Sequence, residues 1–267
     1  MSKIRLDQLV YDKGFADSRE KAKAIVMSGN VYINNQKADK PGFQVNPDTE
    51  IDVRINALPF VSRGGYKLDK ALKVFNISAV DKVCIDCGAS TGGFTDVLLQ
   101  NGAAKVYSVD VGYGQLAWKL RNDPRVVNLE RTNLRYITDN EIPESLDMAV
   151  CDVSFISTKL IFPAVKPLLK KDADYISLIK PQFEAGREQV GKHGVIKDIN
   201  VHKEVVKSIL EYTKSIGFKV VGLDYSPIKG PEGNIEFLIH LKNSDTISEE
   251  INYEYVVEQA HKELNSI

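Results

Sequence analysis

Four charged side chains interrupt apolar stretches of this 267-residue sequence. Asp152 closes Val150-Cys151-Asp152, Lys180 closes Leu178-Ile179-Lys180, and Glu236 stands in Ile235-Glu236-Phe237. Lys67 opens a helical pattern in Gly65-Tyr66-Lys67-Leu68. A lysine or carboxylate inside an apolar strand is costly unless an opposite charge meets it. A Lys–Asp–Glu cluster satisfies each member and holds a lysine where its proton affinity can be tuned. Such a group can attract or remove the proton of a hydroxyl acceptor. Each residue taken singly also fits a partly buried ion pair; their joint placement at strand ends favours chemistry.

Beside them must stand whatever is transferred. Cys84-Ile85-Asp86-Cys87-Gly88-Ala89-Ser90-Thr91-Gly92-Gly93-Phe94-Thr95 reads as an apolar strand, a carboxylate, a glycine-rich turn and the start of a helix. Gly88, Gly92 and Gly93 let the backbone approach a ligand closely. Asp110, closing the next apolar strand, can accept hydrogen bonds from two ribose hydroxyls. The dinucleotide fingerprint G-x-G-x-x-G places a pyrophosphate on a helix N-terminus. Here the spacing is Gly88-x-x-x-Gly92-Gly93, and Asp86 would repel a pyrophosphate. An acid there suits a cationic amino-acid tail, so S-adenosylmethionine fits better than a nicotinamide dinucleotide. The loop contacts would come from Asp86, Gly88, Ala89, Ser90, Gly92, Gly93 and Phe94. Asp110 would meet the ribose and Asn133 the adenine, with Val111 and Asp152 among the expected cofactor contacts.

Motif details narrow the acceptor. Adenine amino-group methylation goes with an (Asn/Asp)-Pro-Pro-aromatic motif, whereas this chain has Asp152-Val153-Ser154-Phe155. Methylation at pyrimidine carbon five needs a cysteine nucleophile; strand alternation should turn Cys151 away from Asp152. Cys84, Cys87 and Cys151 form neither a disulfide framework nor a zinc site. His193, His202, His240 and His261 lack metal-ligand spacing, so no metal is expected.

Hydrophobic content of 43% and charged content of 27% are those of a soluble globular chain. No apolar run approaches the roughly 18 residues of a membrane span, and the N-terminus lacks a signal-peptide core. The expected compartment is the cytoplasm. Net charge is −1, yet Lys3, Arg5, Lys13, Arg19, Lys21, Lys23, Lys37 and Lys40 crowd the first segment. That local basicity is a candidate phosphate-binding face.

Residues 1–54 read as two short helices (Arg5 to Lys13, Arg19 to Met27) and a small sheet. That sheet has Val31–Ile33, a turn at Asn34-Asn35 and a closing strand at Ile51–Val53. Residues 55–65 read as a linker. In 66–267, a helix at Tyr66 to Phe75 precedes strands near Val83–Asp86, Val106–Asp110, Val126–Leu129, Met148–Asp152, Tyr175–Ile179, Lys219–Leu223 and Ile235–Leu241. Helices are expected near Phe94–Gln100, Gln115–Arg121, Thr158–Leu169 and Val201–Ile216, with a terminal helix over 248–265. This alternation predicts an α/β fold with a doubly wound, mostly parallel seven-stranded sheet, its last two strands an antiparallel edge hairpin.

Several motifs together resemble the TlyA family, whose members are also called hemolysins. They are Ser90-Thr91-Gly92-Gly93-Phe94-Thr95, Asp110-Val111-Gly112-Tyr113-Gly114-Gln115-Leu116-Ala117-Trp118, Arg121-Asn122-Asp123-Pro124-Arg125-Val126, Glu130-Arg131-Thr132-Asn133, Ser154-Phe155-Ile156-Ser157 and Lys180-Pro181-Gln182-Phe183-Glu184. The resemblance implies a Rossmann-like, FtsJ-like catalytic domain that methylates ribose 2′-hydroxyls of ribosomal RNA, with cytidine the implied nucleoside. The family's Lys-Asp-Lys-Glu set carries over by motif onto Lys67, Asp152, Lys180 and Glu236. The N-terminal segment is similar to the RNA-binding module of ribosomal small-subunit protein four. That likeness implies an α+β module in which Arg5, Arg19, Lys21, Lys23 and Lys37 contact phosphates, joined by Arg63.

The implied partners are ribosomal RNA or ribosomal subunits, with no membrane required; the oligomeric state stays open. Lys180 would orient and activate the acceptor hydroxyl, either as a base or by stabilising a developing alkoxide. The segment Pro181 to Lys197 reads equally as a lid or a surface loop. A membrane-lytic protein, a non-enzymatic RNA-binding assembly factor and a small-molecule methyltransferase are the rival readings.

Overall fold

A computed structural model of the chain describes residues 3–53, 59–244, 246 and 250–265. It divides into two compact units, 1–59 and 60–267. Residues 55–58 of the expected linker and 248–249 of the expected terminal helix lie outside the described residues.

The first unit runs β1 (Ile4–Arg5), α1 (Leu6–Asp12), α2 (Arg19–Met27), β2 (Val31–Ile33), β3 (Gln36–Lys37), β4 (Gln44–Val45) and β5 (Asp52–Val53). Ser18 caps α2 by accepting the Lys21 N–H at 3.2 Å, which satisfies an amide the helix leaves free. The turn between β2 and β3 has Asn34 and Asn35 at φ 50° and 62°, a twist that matches a tight hairpin and that asparagine tolerates. β2 pairs with β3 and with the expected closing strand β5; β3 itself and the short β1–β4 pair were not foreseen. Leu6, Leu9, Val10, Ala22, Val26, Val31 and Val45 form this unit's own core.

The second unit opens with α3 (Gly65–Val74), then β6 (Val83–Cys87), α4 (Gly93–Gln100), β7 (Lys105–Val109), α5 (Trp118–Arg121), β8 (Val126–Leu129) and β9 (Leu146–Cys151). It continues with α6 (Phe162–Val165), β10 (Leu169–Ile179), α7 (Pro181–Glu184), α8 (Ile199–Ser215), β11 (Lys219–Tyr225), β12 (Phe237–Lys242) and α9 (Tyr253–Leu264). The seven strands lie in the order β11-β12-β10-β9-β6-β7-β8. β8, β7, β6, β9 and β10 pair in parallel; β12 runs antiparallel between β10 and β11. The chain leaves β6 toward β7 and β8, then returns to β9 on the other side. That reversal is the switch point where α/β sheets bind ligands.

Alternation along the strands splits the core. Ile85, Cys87, Ala149, Cys151, Tyr175 and Ile179 face the layer that includes Phe162, Val206 and Val257. Cys84, Met148, Val150, Ile176 and Leu178 face the layer that includes Leu68, Leu72 and Leu98. Strands buried on both faces read as continuous apolar runs, as parallel sheets do.

Three expected helices are shorter than anticipated, the terminal one starting only at Tyr253. The stretch 158–169 is not one helix: 3₁₀ turns at Thr158–Leu160 and Lys166–Leu168 flank α6. Pro163 and Pro167 cannot donate the backbone hydrogen bonds a continuous helix requires, and Leu169 instead starts β10. The stretch 115–121 is helical only from Trp118.

Candidate active site

At the carboxyl end of β6 the backbone turns sharply, with Gly88, Ser90 and Gly92 at φ 85°, 48° and 93°. A side chain on Gly88 would place its Cβ 2.9 Å from the Asp152 carbonyl oxygen, so β6 and β9 converge here only with glycine. Gly92 answers a different need. A Cβ there would strike Leu120 and Leu116 at 2.2 and 2.8 Å, so this glycine serves the packing of α5. At Gly93 the Cβ would meet Ser62 Oγ at 2.4 Å.

Asp86 is fully buried. Its Oδ2 accepts the Thr95 N–H at 2.8 Å and the Thr95 hydroxyl at 2.7 Å. Its Oδ1 has no hydrogen-bond partner among the described residues. Burial pushes this carboxyl up to about 7, against the pull of Thr95 and with help from Asp152 and Asp110. Beyond β7, Asp110 accepts the Ser90 N–H (2.8 Å) on one oxygen and the Gly112 N–H (2.7 Å) on the other. Asn133 uses its carbonyl oxygen to cap the Arg135 N–H at 3.1 Å.

Two cavities lie along this edge. One, of about 420 Å³, is lined by Asp86, Ala89, Gly93 and Phe94 together with Lys67 and Lys180. The other, of about 380 Å³, is lined by Asp110, Val111, Asn133 and the apolar Leu134, Val153 and Ile156. Gly88, Ser90, Asp152 and Ser154 border both. Of the residues expected to hold the cofactor, Gly92 alone lines neither.

The four charged residues meet at this junction. Lys67 Nζ donates to Glu236 Oε2 at 2.6 Å and lies 3.6 Å from Asp152 Oδ2. Lys180 Nζ lies 2.5 Å from Asp152 Oδ1. Asp152 and Lys180 sit just past the ends of β9 and β10 (Leu146–Cys151 and Leu169–Ile179). Glu236 precedes β12, whose antiparallel course brings its beginning to the same edge. Lys67 arrives from the first turn of α3. Burial alone would lower the Lys67 pKa, but Asp152 and Glu236 outweigh it and hold the ammonium above the ordinary lysine value. Lys67 is therefore a fixed cation rather than a base.

Three neighbours were not singled out from sequence. Lys180 donates a hydrogen bond to Ser154 Oγ at 2.9 Å. Phe155 follows at φ 63° with 92% of its surface exposed, its ring 5.0 Å from that of Phe183. Glu184, at the end of α7, accepts from the Ser157 hydroxyl (2.5 Å) and from the Thr158 N–H and hydroxyl (both 2.7 Å). It thereby ties the loop after Asp152 to the turn after Lys180. The signal was available: Ser154-Phe155-Ile156-Ser157 and Lys180-Pro181-Gln182-Phe183-Glu184 lie just past the ends of β9 and β10, beside Asp152 and Lys180. Cys151 packs beside Cys87 in the core, turned away from Asp152 as alternation required.

Arg63 lines the first cavity, as does Lys229. In the first unit the expected phosphate contacts are partly engaged. Arg5 makes a two-point pair with Asp7, at 3.0 and 2.7 Å, and Arg19 lies 4.0 Å from the same carboxylate. Lys21 pairs with Asp17 at 2.7 Å, while the exposed Lys23 shares the α2 face of Arg19. Lys37 lies across Gly29, where any Cβ would collide with it.

Comparison with known proteins bears on both units. The FtsJ-like methyltransferase profile matches residues 60–243, and the S4 domain profile matches residues 4–51. The chain is 44% identical to the 16S/23S rRNA (cytidine-2'-O)-methyltransferase TlyA of Mycobacterium tuberculosis, over 90% of each chain. It is 43% identical to Hemolysin A of Brachyspira hyodysenteriae, over 89% of this chain and 99% of that protein. A solved Streptococcus thermophilus protein, provisionally labelled a hemolysin, superposes with a TM-score of 0.79 at 47% identity. The match covers all of this chain and 98% of that one.

Proposed function

The chain belongs to the TlyA family, an S4 domain followed by an FtsJ-like methyltransferase domain, and from that premise we propose that it methylates a cytidine ribose 2′-hydroxyl in ribosomal RNA. The observation that carries the reading is the Lys67–Glu236 and Lys180–Asp152 cluster at the meeting point of two cavities.

S-adenosylmethionine fits the residues present. Its ammonium would answer the unpartnered Asp86 Oδ1, and its ribose diol would find the Asp110 carboxylate, which keeps acceptor capacity beyond its two amide bonds. Asn133 can offer its amide N–H groups to an adenine edge between Leu134 and Val153. When bound, the cofactor supplies an electrophilic methyl group on a sulfonium sulfur.

The remaining steps belong to the chain's own side chains. Lys180 directs an N–H at the acceptor oxygen and stabilises the negative charge that oxygen gathers as its proton passes to solvent water and its bond to the methyl carbon forms. Asp152 holds Lys180 in place and balances its charge. Lys67, fixed by Glu236, places a second cation behind Asp152. The uncovered ring of Phe155 offers a stacking platform for a base lifted from its helix. Arg63 and the basic face of α2 (Arg19–Met27) would grip phosphates, which position the RNA without reading its sequence. These are an enzyme's fittings, whatever name a relative carries.

The test is transfer of tritiated methyl from S-adenosylmethionine to ribosomal subunits lacking the modification, with mapping of the ribose modified. Label on a cytidine 2′-oxygen is expected; label on a base, or none on either subunit, rejects the proposal.

A further inference from the structure

We propose that Ser154 is a positioning residue for the transfer step, acting through Lys180. The inference rests on the reading of the site as a 2′-O-methyltransferase and extends it to a residue outside the Lys-Asp-Lys-Glu set.

A lysine ammonium carries three N–H donors and no acceptor. Those of Lys180 are divided by the geometry of the neighbouring strand. Asp152 and Ser154 are two residues apart just past the end of β9, so their side chains share one side while Val153 turns into the core. β10 pairs with β9 in parallel, which delivers Lys180 opposite that pair of oxygens. Asp152 Oδ1 lies 2.5 Å from Nζ as an ion-pair partner without the alignment of a hydrogen bond. The hydrogen bond goes instead to Ser154 Oγ at 2.9 Å. Ser154 therefore fixes the rotation of an ammonium that Asp152 attracts without aligning, beside the cavity that Lys180 lines. With Asp152 alone, the ammonium could rotate about its bonds and share its donors with both carboxylate oxygens. The serine removes that freedom.

Ser154 borders both cavities, at the level where donor and acceptor must meet. Its own hydroxyl proton is free to turn toward either side. Glu184 secures the loop from below through Ser157 and Thr158, so Ser154 is held on a fixed support rather than a loose turn. Catalysis depends on such pre-set donors because misdirected ones must reorganise during the reaction.

Ser154→Ala and Ser154→Thr separate this role from a structural one. Turnover is measured with tritiated S-adenosylmethionine and ribosomal subunits lacking the modification, alongside calorimetric binding of S-adenosylhomocysteine and thermal melting. Ser154→Ala is expected to lower kcat roughly 10- to 100-fold, the worth of one hydrogen bond to a charged group, with RNA KM and cofactor Kd within about twofold of the parent. Ser154→Thr, which keeps the hydroxyl, should recover most of the loss. An alanine variant that turns over like the parent overturns the proposal. So does a threonine variant as impaired as alanine, or a loss residing in KM, Kd or melting temperature. A parent protein that methylates neither subunit overturns the methyltransferase reading itself and the role of Ser154 with it; the other outcomes bear on Ser154 alone.

Discussion

Lys67 and Glu236, 169 positions apart in the chain, form a 2.6 Å ion pair with Glu236 only 1% exposed. The pair joins the first helix of the catalytic unit to its last strand. Removing one partner leaves the other as an uncompensated buried charge. Lys67→Ala should therefore lower stability by about 3–5 kcal/mol in urea titrations, whereas Lys67→Met combined with Glu236→Gln should lose far less. Both variants should be inactive. If the single and double variants unfold alike, the pair does not carry this burden.

Lys180 and Asp110 should fail in opposite ways. Lys180 lines only the first cavity and Asp110 only the second. Lys180→Ala is expected to abolish methyl transfer while cofactor Kd stays within about threefold of the parent. Asp110→Ala should weaken cofactor binding by roughly 1–3 kcal/mol, the cost of losing hydrogen bonds to a charged acceptor. Retained turnover in the lysine variant, or unchanged Kd in the aspartate variant, contradicts the assignment.

If Asp86 receives the cofactor's ammonium as proposed, cofactor binding depends on pH. Burial raises its carboxyl to about 7, so at lower pH the free protein holds it protonated. A cationic amino group favours the ionised form, and binding below that pH must expel a proton. Affinity for S-adenosylhomocysteine should fall as pH drops from 8 to 6, and Asp86→Asn should flatten that dependence. The folded pKa here lies above the unfolded one. The native state thus retains a proton that the unfolded chain gives up between about pH 4 and 7, and stability declines as pH rises through that window. Asp86→Asn should accordingly be more stable than the parent at pH 8, by roughly 1–3 kcal/mol. A less stable variant, or an undiminished pH slope, excludes this account.

Acid should loosen the packing of α8 (Ile199–Ser215) against α9 (Tyr253–Leu264). His202 Nδ1 and His261 Nε2 are 2.7 Å apart, and His202 Nε2 is buried without a partner among the described residues. Burial, reinforced by His261, lowers the His202 pKa to about 4, with Asp198 opposing. Burial and Lys229 lower His261 as well. The unfolded chain takes up protons below about pH 6.5 that the folded one refuses, so stability falls from there toward pH 4. Thermal melting at pH 7 and pH 5 should differ by more in the parent than in His202→Leu. Parallel curves would assign the acid sensitivity elsewhere.

The sequence was legible where chemistry is expressed locally. The turn after β6, the carboxylate ending β7 and the charges closing apolar strands are each written in a few consecutive residues, because a costly charge in an apolar run marks its own position. The small hairpin at Asn34-Asn35 was legible for the same reason. The broken stretch around α6 was misread as one helix because its apolar spacing suits a helix while Pro163 and Pro167 interrupt the backbone.

Which partner each charge finds was not written locally. The sequence by itself named Lys67, Asp152, Lys180 and Glu236 and determined the parallel α/β plan. Only the tertiary structure decided that Lys67 takes Glu236 and Lys180 takes Asp152, that Gly92 packs closely against Leu116 and Leu120, and that Ser154 accepts a hydrogen bond from Lys180. The reason is the antiparallel insertion of β12 between β10 and β11. It turns the start of the last strand toward the edge where the parallel strands end, and an arrangement made by pairing strands far apart in the chain leaves no trace in any short run of residues.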